Sequence, residues 1–176
     1  MEIIETKIEG LKIIKPDVFG DSRGFFTETY NENRYREMGI EQRFVQDNMS
    51  SSSYGVVRGL HFQAGEYAQA KLVQVVVGRV LDVAVDIRTE SKTYGEYVAV
   101  ELSDENHLQF LIPRGFAHGF AVLSPQAIFS YKCDNLYNKS AEGGFLYNSP
   151  KLAIDWKLPK DKMILSEKDL KWQPFN

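Results

Sequence analysis

Short runs of apolar residues, rich in β-branched and aromatic side chains, recur along most of the chain and predict β-strands. They cover residues 70–77, 80–87, 96–102, 107–112, 116–123 and 127–132, with small clusters of Gly, Pro, Ser, Asp or Asn between most of them. Only Gly78-Arg79 separates the first two runs, which predicts a tight hairpin. Closely spaced short strands of this kind are typical of a sandwich or a barrel.

Helix signals are confined to two short segments. Residues 32–38 follow Asn31, a good N-cap, and precede Gly39, a common C-terminal stop, so they predict a helix. A second, shorter helix is predicted to begin at Ser166, where a capping residue is followed by acids. Both are small beside the strand runs, so the predicted fold is all-β with small helical additions.

Polar stretches occupy much of the remaining sequence. Residues 47–55 and 133–150 are rich in Ser, Asn, Gly and Asp and predict loops. The chain of 176 residues contains no internal repeat or low-complexity linker, and a chain of this length buries a core of its own. Residues 1–176 are therefore predicted to form one domain.

Composition and charge limit the classes of function. The net charge of −3 predicts no nucleic-acid partner, although a pocket with a few cations would still suit a small anionic ligand. The single cysteine, Cys133, is typical of a reducing compartment. The N-terminus carries acids and no long apolar run, so it predicts no signal peptide, and no stretch approaches the ~20 apolar residues of a membrane span. We therefore expect a soluble, cytoplasmic protein.

The histidines are the first candidates for chemistry. A lone histidine in a strand is usually a structural residue, and His107, which follows a polar turn, is interpreted as one. In RGLHFQ (58–63), strand alternation places His61 and Gln63 on one face and their apolar neighbours on the other. Three interpretations of His61 remain open on this pattern: a core residue, a metal ligand or a base.

A lysine and a tyrosine on neighbouring predicted strands stand out next. Lys71 lies in line with Val73, Val75 and Val77 on one strand face. If that face is interior, the ammonium needs a ligand or a carboxylate, because an unpaired buried charge is costly. If Lys71 lies at the barrel mouth, its ammonium stays in water. Tyr131 has a hydroxyl that needs a partner, which makes it a candidate for a polar cavity.

A set of short motifs resembles the dTDP-4-dehydrorhamnose 3,5-epimerase family, whose members are sugar-nucleotide epimerases with a cupin-type jelly-roll barrel. The resemblance runs almost end to end, and the order and spacing of the set carry it rather than any single motif. The motifs are DSRGFF (21–26), QDNMS (46–50), RGLHFQ (58–63), AQAKLVQVVVG (68–78), DVAVDIR (82–88), IPRGFAHGFAVLS (112–124), YKCDNLYN (131–138), EGG (142–144), IDW (154–156) and LSEKD (165–169).

The resemblance implies inversion at carbons 3 and 5 of dTDP-4-dehydro-6-deoxy-D-glucose, which gives dTDP-4-dehydro-L-rhamnose. The ketone acidifies the hydrogens on both carbons, so a base removes a proton from one face and an acid returns one to the other. By similarity His61 is the base, Asp169 orients it and Tyr131 is the acid. Lys71 fits as the cation that stabilises the enolate oxygen. No cofactor is implied.

Further positions match family residues that contact the sugar, the diphosphate or the thymidine. They are Arg23, Glu28, Gln46, Asn48, Arg58, His118, Tyr137, Glu142 and Lys168. Arg23 and Lys168 suit the diphosphate because charge-assisted bonds to phosphate are strong. Strict alternation places Arg58 on the face opposite His61, so an inward Arg58 requires a β-bulge, for which Gly59 is the natural site.

Other activities of a cupin barrel remain as alternatives. Metal-binding cupins use a histidine pair spaced H-x-H, but Gln63 stands two residues after His61, so no metal is predicted. An epimerase that acts only at carbon 3 or only at carbon 5 of a related sugar remains open. A non-catalytic sugar-binding cupin is the third alternative.

The resemblance also implies a homodimer, in which N-terminal strands at roughly residues 1–30 pair with the partner's sheet. The alternating EIIETKI at residues 2–8 fits such an arm and fits an internal edge strand equally well. By similarity alone, the pathway leads to activated L-rhamnose for a bacterial cell-surface polysaccharide.

Overall fold

Strands dominate the structure. The computed structural model describes all 176 residues. In chain order its elements are β1 (Glu2–Glu5), β2 (Lys12–Lys15), β3 (Val18–Asp21), β4 (Gly24–Thr27), α1 (Glu32–Glu37), β5 (Gln46–Ser53), β6 (Val57–Gln63), β7 (Lys71–Val77), β8 (Arg79–Asp86), β9 (Tyr97–Ser103), β10 (Gln109–Ile112), β11 (Phe116–Val122), β12 (Gln126–Cys133) and β13 (Glu142–Gly144). Single 3₁₀ turns cover Gly65–Tyr67, Lys139–Ala141, Lys160–Lys162 and Asp169–Lys171. None of the helices is long and apolar enough to cross a bilayer.

Two antiparallel sheets pack face to face. The six-stranded sheet has the order β1-β2-β10-β7-β12-β5, and the five-stranded sheet has the order β13-β6-β11-β8-β9. β3 and β4 form a separate two-stranded hairpin. This arrangement confirms the predicted all-β jelly-roll barrel with small helical additions.

The hairpin predicted at Gly78-Arg79 is wrong, because the chain changes sheets there. β7 pairs with β10 and β12, whereas β8 pairs with β9 and β11. Gly78 has a φ of +81°, and a methyl group on it would lie 2.0 Å from the carbonyl oxygen of Gln126. The crossing allows the apolar faces of both strands to meet, so that Val75 and Val80 share one core cluster.

The loop predicted at 47–55 is also wrong, because most of it belongs to β5. This strand forms an edge of the six-stranded sheet and pairs with β12 along its whole length. The less exposed side chains of β5 alternate with exposed ones. Polar residues occupy the inward positions, since Asn48 and Ser50 line a cavity rather than the apolar core. The loop predicted at 133–150 contains β13 and one 3₁₀ turn.

The first predicted helix is confirmed, and the second is shorter than predicted. Asn31 caps α1 by accepting a hydrogen bond from the backbone nitrogen of Arg34 at 3.2 Å, and Gly39 has the positive φ of a helix stop. At the second site Ser166 Oγ accepts a hydrogen bond from the backbone nitrogen of Asp169 at 3.1 Å. Only a 3₁₀ turn follows.

The apolar core has two main parts. One cluster lies between the sheets and includes Phe110 and Phe129. The other lies on the outer face of the five-stranded sheet, where Leu60 of β6 belongs to the same cluster as Trp156 and Phe175. The C-terminal segment is thereby held against the strand that carries His61.

Candidate active site

A cavity of about 590 Å³ lies between the sheets at one end of the barrel. It is lined by residues of β5, β6, β7, β11 and β12 and by the C-terminal segment that precedes the last 3₁₀ turn. The sequence-predicted residues that line it are Asn48, Arg58, His61, Lys71, His118, Tyr131, Lys168 and Asp169. All four residues predicted to be catalytic therefore share one cavity.

His61 and Asp169 form a hydrogen-bonded pair at the cavity wall. His61 Nε2 lies 2.5 Å from Asp169 Oδ1. The Asp169 side chain is only 4% exposed, whereas that of His61 is 29% exposed. Burial acts to raise the pKa of Asp169, but the hydrogen bond and charge of His61, together with Ser166, hold it below its ordinary value. The ionised carboxylate fixes the proton on Nε2 and leaves Nδ1 as the ring nitrogen free to accept a proton.

Arg58 lines the same cavity because β6 contains the expected irregularity. The register with β11 shifts between the pairs His118–His61 and Phe120–Arg58, which gives β6 one extra residue. Gly59 has a φ of +119°, and a methyl group on it would lie 2.5 Å from Cα of Gly119. The bulge predicted at Gly59 is confirmed.

Two placements were considered for Lys71, the barrel interior and the barrel mouth, and the structure shows the interior one. It lines the cavity, and its Nζ lies 5.9 Å from the centre of the Tyr131 ring. Burial lowers the pKa of Lys71, and the charges of Asp82 and Glu142 partly offset this effect. Burial also raises the pKa of the Tyr131 phenol, which keeps it protonated near neutral pH.

A second histidine–carboxylate pair lies on the neighbouring strands. His118 pairs in register with His61, and its Nε2 lies 2.9 and 3.0 Å from the two carboxylate oxygens of Asp82. Burial lowers the pKa of His118, although Asp82 acts in the opposite direction. A neutral His118 donates its Nε2 proton to Asp82, and the Asp82 charge lies near Lys71.

A smaller cavity of about 240 Å³ adjoins the first, since both are lined by Asn48, His61, Lys71 and Tyr131. It adds three more predicted residues: Gln46, Tyr137 and Glu142. Glu142 accepts hydrogen bonds from Lys168 Nζ at 2.5 Å and from Tyr137 Oη at 3.1 Å. An ion pair thus joins Lys168 of the larger cavity to Glu142 of the smaller one.

Arg23 and Glu28 line neither cavity of their own chain. Arg23 lies at the tip of the β3–β4 hairpin, where its side chain is 87% exposed and pairs with Asp21. Glu28 directly follows β4 and pairs with Arg34 at 2.9 Å. The fold of one chain brings eleven of the thirteen predicted site residues to the two cavities and leaves these two outside.

Several residues in or next to the cavity escaped the sequence analysis. Asp82 sits within the apolar strand β8 and is fully buried, and a carboxylate in such a run is a signal that was available. Asp82 lies behind His118, its hydrogen-bond partner, whereas Ser50 and Ser166 line the cavity itself. Ser50 was hidden by the loop prediction, and Ser166 was interpreted only as a helix cap.

The histidines and carboxylates are distributed as pairs. No group of three or more His, Cys, Asp or Glu side chains is arranged to hold a metal ion. Each imidazole at the cavity has its Nε2 directed at one carboxylate, which suits proton transfer and hydrogen bonding.

Comparison with known proteins places this geometry in a family. The family model of dTDP-4-dehydrorhamnose 3,5-epimerase matches residues 5–176. The dTDP-4-dehydrorhamnose 3,5-epimerase of Methanothermobacter thermautotrophicus is 52% identical over 173 residues, which are 98% of this chain and 93% of that protein. The crystal structure of the enzyme of that name from Elizabethkingia anophelis superposes with a TM-score of 0.94 at 56% identity, and covers 99% of this chain and 96% of that one.

A further solved structure contains a bound sugar nucleotide. It is dTDP-6-deoxy-D-glucose-3,5-epimerase from Legionella pneumophila in complex with dTDP-4-keto-L-rhamnose, with a TM-score of 0.95 and 52% identity over 98% of this chain and 92% of that one. Sequence and fold agree with these relatives over nearly the whole chain. This protein belongs to the dTDP-4-dehydrorhamnose 3,5-epimerase family.

Proposed function

We propose that this protein converts dTDP-4-dehydro-6-deoxy-D-glucose into dTDP-4-dehydro-L-rhamnose by inverting carbons 3 and 5, in the biosynthesis of dTDP-L-rhamnose. The observation that carries the proposal is the meeting of the His61–Asp169 pair, Lys71 and Tyr131 at one cavity of about 590 Å³. Each inversion breaks one C–H bond and forms another at the same carbon. Atoms and electrons balance without a redox partner, so the reaction uses no cofactor.

His61 is the base. Its Nδ1 lone pair takes the proton from the carbon next to the ketone, and the electrons of the C–H bond pass to the carbonyl oxygen as an enolate. Asp169 accepts a hydrogen bond from Nε2 and stabilises the imidazolium that forms. A positioned base of this kind contributes about 10²–10⁴-fold to the rate.

Lys71 stabilises the enolate oxygen. It is the lysine that lines both cavities, and the nearby carboxylates favour its charged form against the effect of burial. A fixed cation placed where negative charge develops is often the largest single contribution to such a reaction. His118 adds a polar contact from the same wall of the cavity.

Tyr131 is the acid. Because burial raises the pKa of its phenol, the hydroxyl stays protonated and donates to the enolate carbon from the face away from His61. The phenolate that forms lies near the ammonium of Lys71, whose Nζ is 5.9 Å from the ring centre. Configuration inverts because the proton leaves and returns on different faces of the ring.

The rest of the site binds the nucleotide. Asn48 and Arg58 border the cavity that receives the sugar, and Lys168 lies at its edge with a charge suited to the diphosphate. Gln46, Tyr137 and Glu142 contact the thymidine or the adjoining phosphate from the smaller cavity. Tyr137 is 53% exposed, so its ring offers a free surface on which a base stacks.

Arg23 and Glu28 complete the site of a second copy of the chain, so the working unit is a homodimer. The β3–β4 hairpin stands outside both sheets and exposes Phe19, Phe25 and Phe26, which are 63%, 62% and 67% accessible. Aromatic side chains clustered on a projecting hairpin indicate a surface that another protein covers. β1 and β2 extend the chain's own sheet, so the part available for exchange is this hairpin.

The cytoplasm is the compartment in which the protein works. Its one cysteine, Cys133, is free and fully buried, and burial raises the pKa of the thiol to about 11, so it stays a thiol. Nothing in the fold depends on an oxidising environment. The product fits a pathway that supplies activated L-rhamnose for surface polysaccharide.

The proposal is tested by incubating the purified protein with dTDP-4-dehydro-6-deoxy-D-glucose and following the sugar ring protons by NMR. The expected product has inverted configuration at carbons 3 and 5. Inversion at one carbon alone identifies a narrower epimerase. Tight binding without conversion contradicts the catalytic roles.

A further inference from the structure

The 3₁₀ turn that carries Asp169 is followed by Trp172, whose ring packs against Gly144 of β13. β13 pairs with β6 so that Gly144 lies opposite His61. A methyl group on Gly144 would lie 2.5 Å from Cε2 and 2.7 Å from Nε1 of Trp172. The φ of Gly144 is not positive, so its backbone accepts any residue. The space taken by the indole is therefore what requires glycine at this position.

Trp172 lies three residues after Asp169 and beside His61. The centres of the Trp172 and His61 rings are 6.4 Å apart, with an edge-on inclination of 62°. Just beyond the indole, the carbonyl oxygen of Gln173 accepts a hydrogen bond from the backbone nitrogen of Leu146 at 2.9 Å. The ring thus lies between β13 and the turn and is partly exposed.

The other side chains of the turn make little apolar contact with the sheet. Leu170 is 56% exposed and Lys171 is also exposed. Ser166 caps the backbone of Asp169, and Lys168 pairs with Glu142 at the edge of the cavity. The indole is the large apolar group that connects the turn to the strand opposite His61.

We propose that Trp172 is a positioning residue for the His61–Asp169 pair, and that Gly144 leaves the space in which its indole packs. The indole holds the turn in the position at which the Asp169 carboxylate forms its hydrogen bond with His61 Nε2. The expected loss of activity rests on the proposed function, whereas the expected displacement of Asp169 from His61 does not. A displacement of about 1 Å of such a group costs on the order of 10²-fold in rate.

The indole acts through its shape. Its Nε1 is buried without a hydrogen-bond partner, so the ring is held by packing and by Lys168, whose Nζ lies 6.0 Å from the ring centre. Phenylalanine at this position keeps an aromatic ring against Gly144 and loses no hydrogen bond. Trp172→Phe is therefore the matched control for Trp172→Ala.

Two measurements separate positioning from general stability. The first is kcat and KM, with Trp172→Ala expected to lower kcat by about 10–100-fold at little change in KM, and Trp172→Phe expected to stay close to the wild type. The second is the low-field proton NMR signal of the His61–Asp169 hydrogen bond, assigned by its loss in Asp169→Asn. Trp172→Ala should broaden or remove this signal and leave the signal of the His118–Asp82 bond in place.

The glycine supplies a reciprocal test that does not require the alanine variant of Trp172 to fold. Gly144→Ala displaces the indole, so it should lower kcat and disturb the same NMR signal. In the Trp172→Ala background the same change should cost nothing further, because no ring remains to displace.

The inference is overturned if Trp172→Ala or Gly144→Ala keeps both the wild-type kcat and the His61–Asp169 signal, or if Trp172→Phe is as impaired as Trp172→Ala. The NMR signal needs no turnover. An inactive wild-type protein would remove the proposed function and leave this test intact.

Discussion

Asp169 Oδ1 lies 2.5 Å from His61 Nε2, although 108 residues separate the two along the chain. His61 comes from β6, and Asp169 is the first residue of a C-terminal 3₁₀ turn beside the same cavity. The contact fixes the tautomer of the imidazole, because an ionised carboxylate accepts the Nε2 proton. The proposed base is therefore complete only when the C-terminal segment has docked.

Replacement of Asp169 by asparagine tests this tautomer argument. The amide of Asp169→Asn donates to Nε2 and places the ring proton on Nδ1, so no lone pair remains for the substrate. We expect kcat to fall by about 10²–10⁴-fold, the scale seen when a carboxylate that orients a histidine is made an amide. Asp155→Asn, which changes an exposed carboxylate paired only with Lys157, is the control. An Asp169→Asn enzyme with wild-type kcat would contradict the role of the pair.

The fall in rate at alkaline pH, the alkaline limb of the pH–rate profile, should follow the deprotonation of Lys71. Burial lowers the pKa of Lys71 and raises that of Tyr131, so Lys71 is the first of the two to lose its proton as pH rises. The rate should fall through that lowered pKa, because a neutral amine no longer stabilises the enolate. Lys71→Arg keeps its charge above pH 12 and should move the limb to higher pH while lowering the maximal rate. An unchanged alkaline limb in Lys71→Arg would assign the titration to another group.

Mixing two impaired variants tests the proposal that two chains share a site. In a dimer of Arg23→Ala with His61→Ala, one cavity keeps its own His61 and receives Arg23 from the partner, so it is intact. We expect activity to return after mixing under conditions that exchange subunits, while each variant alone stays impaired. Lack of recovery in a verified mixed dimer would mean that Arg23 does not reach the partner's cavity.

Acid stability should depend on Asp86, which lines neither cavity. This buried carboxylate accepts hydrogen bonds from Arg88, Ser91 and Thr93 at 2.6–2.9 Å. Burial acts to raise its pKa, but these bonds hold the pKa of Asp86 far below the ordinary value. Its contribution is fully present above the unfolded pKa of ~3.9 and is lost as pH falls toward the lower folded value.

Asp86→Asn should therefore lower the free energy of unfolding by about 3 kcal/mol at pH 7, with a smaller difference at pH 3. Urea unfolding at both pH values measures this. Asp161→Asn, which changes a 75% exposed carboxylate, should show little effect at either pH. An Asp86→Asn difference that is equal at pH 7 and pH 3 would contradict the pKa argument.

Local patterns predicted the strands and the helix well, because alternation and caps act over a few residues. They failed at Gly78, where the strands on either side join different sheets, since no local signal distinguishes a tight hairpin from a crossing. They also failed for β5, because an edge strand that lines a polar cavity lacks the apolar alternation of a core strand.

The site residues that could be predicted were those that lie in the motifs, because the order and spacing of the motifs identified them. An inward-facing Arg58 requires a bulge in β6. Gly59 follows Arg58 directly, which made the position of that bulge predictable. Asp82 was missed although a carboxylate within an apolar strand was a local signal, and only its pairing with the distant His118 needed the structure. The contact between Trp172 and Gly144 depends on how the C-terminal segment docks, which no spacing along the chain reveals.

Deuterium incorporation from solvent tests the central claim most directly. The wild-type enzyme in deuterium oxide should label carbons 3 and 5 of the keto-sugar nucleotide, and Tyr131→Phe should slow formation of the inverted product more than it slows exchange. His61→Ala should incorporate no deuterium at either carbon beyond the uncatalysed rate. Exchange by folded His61→Ala at the wild-type rate would show that another group removes the proton, and would contradict the account.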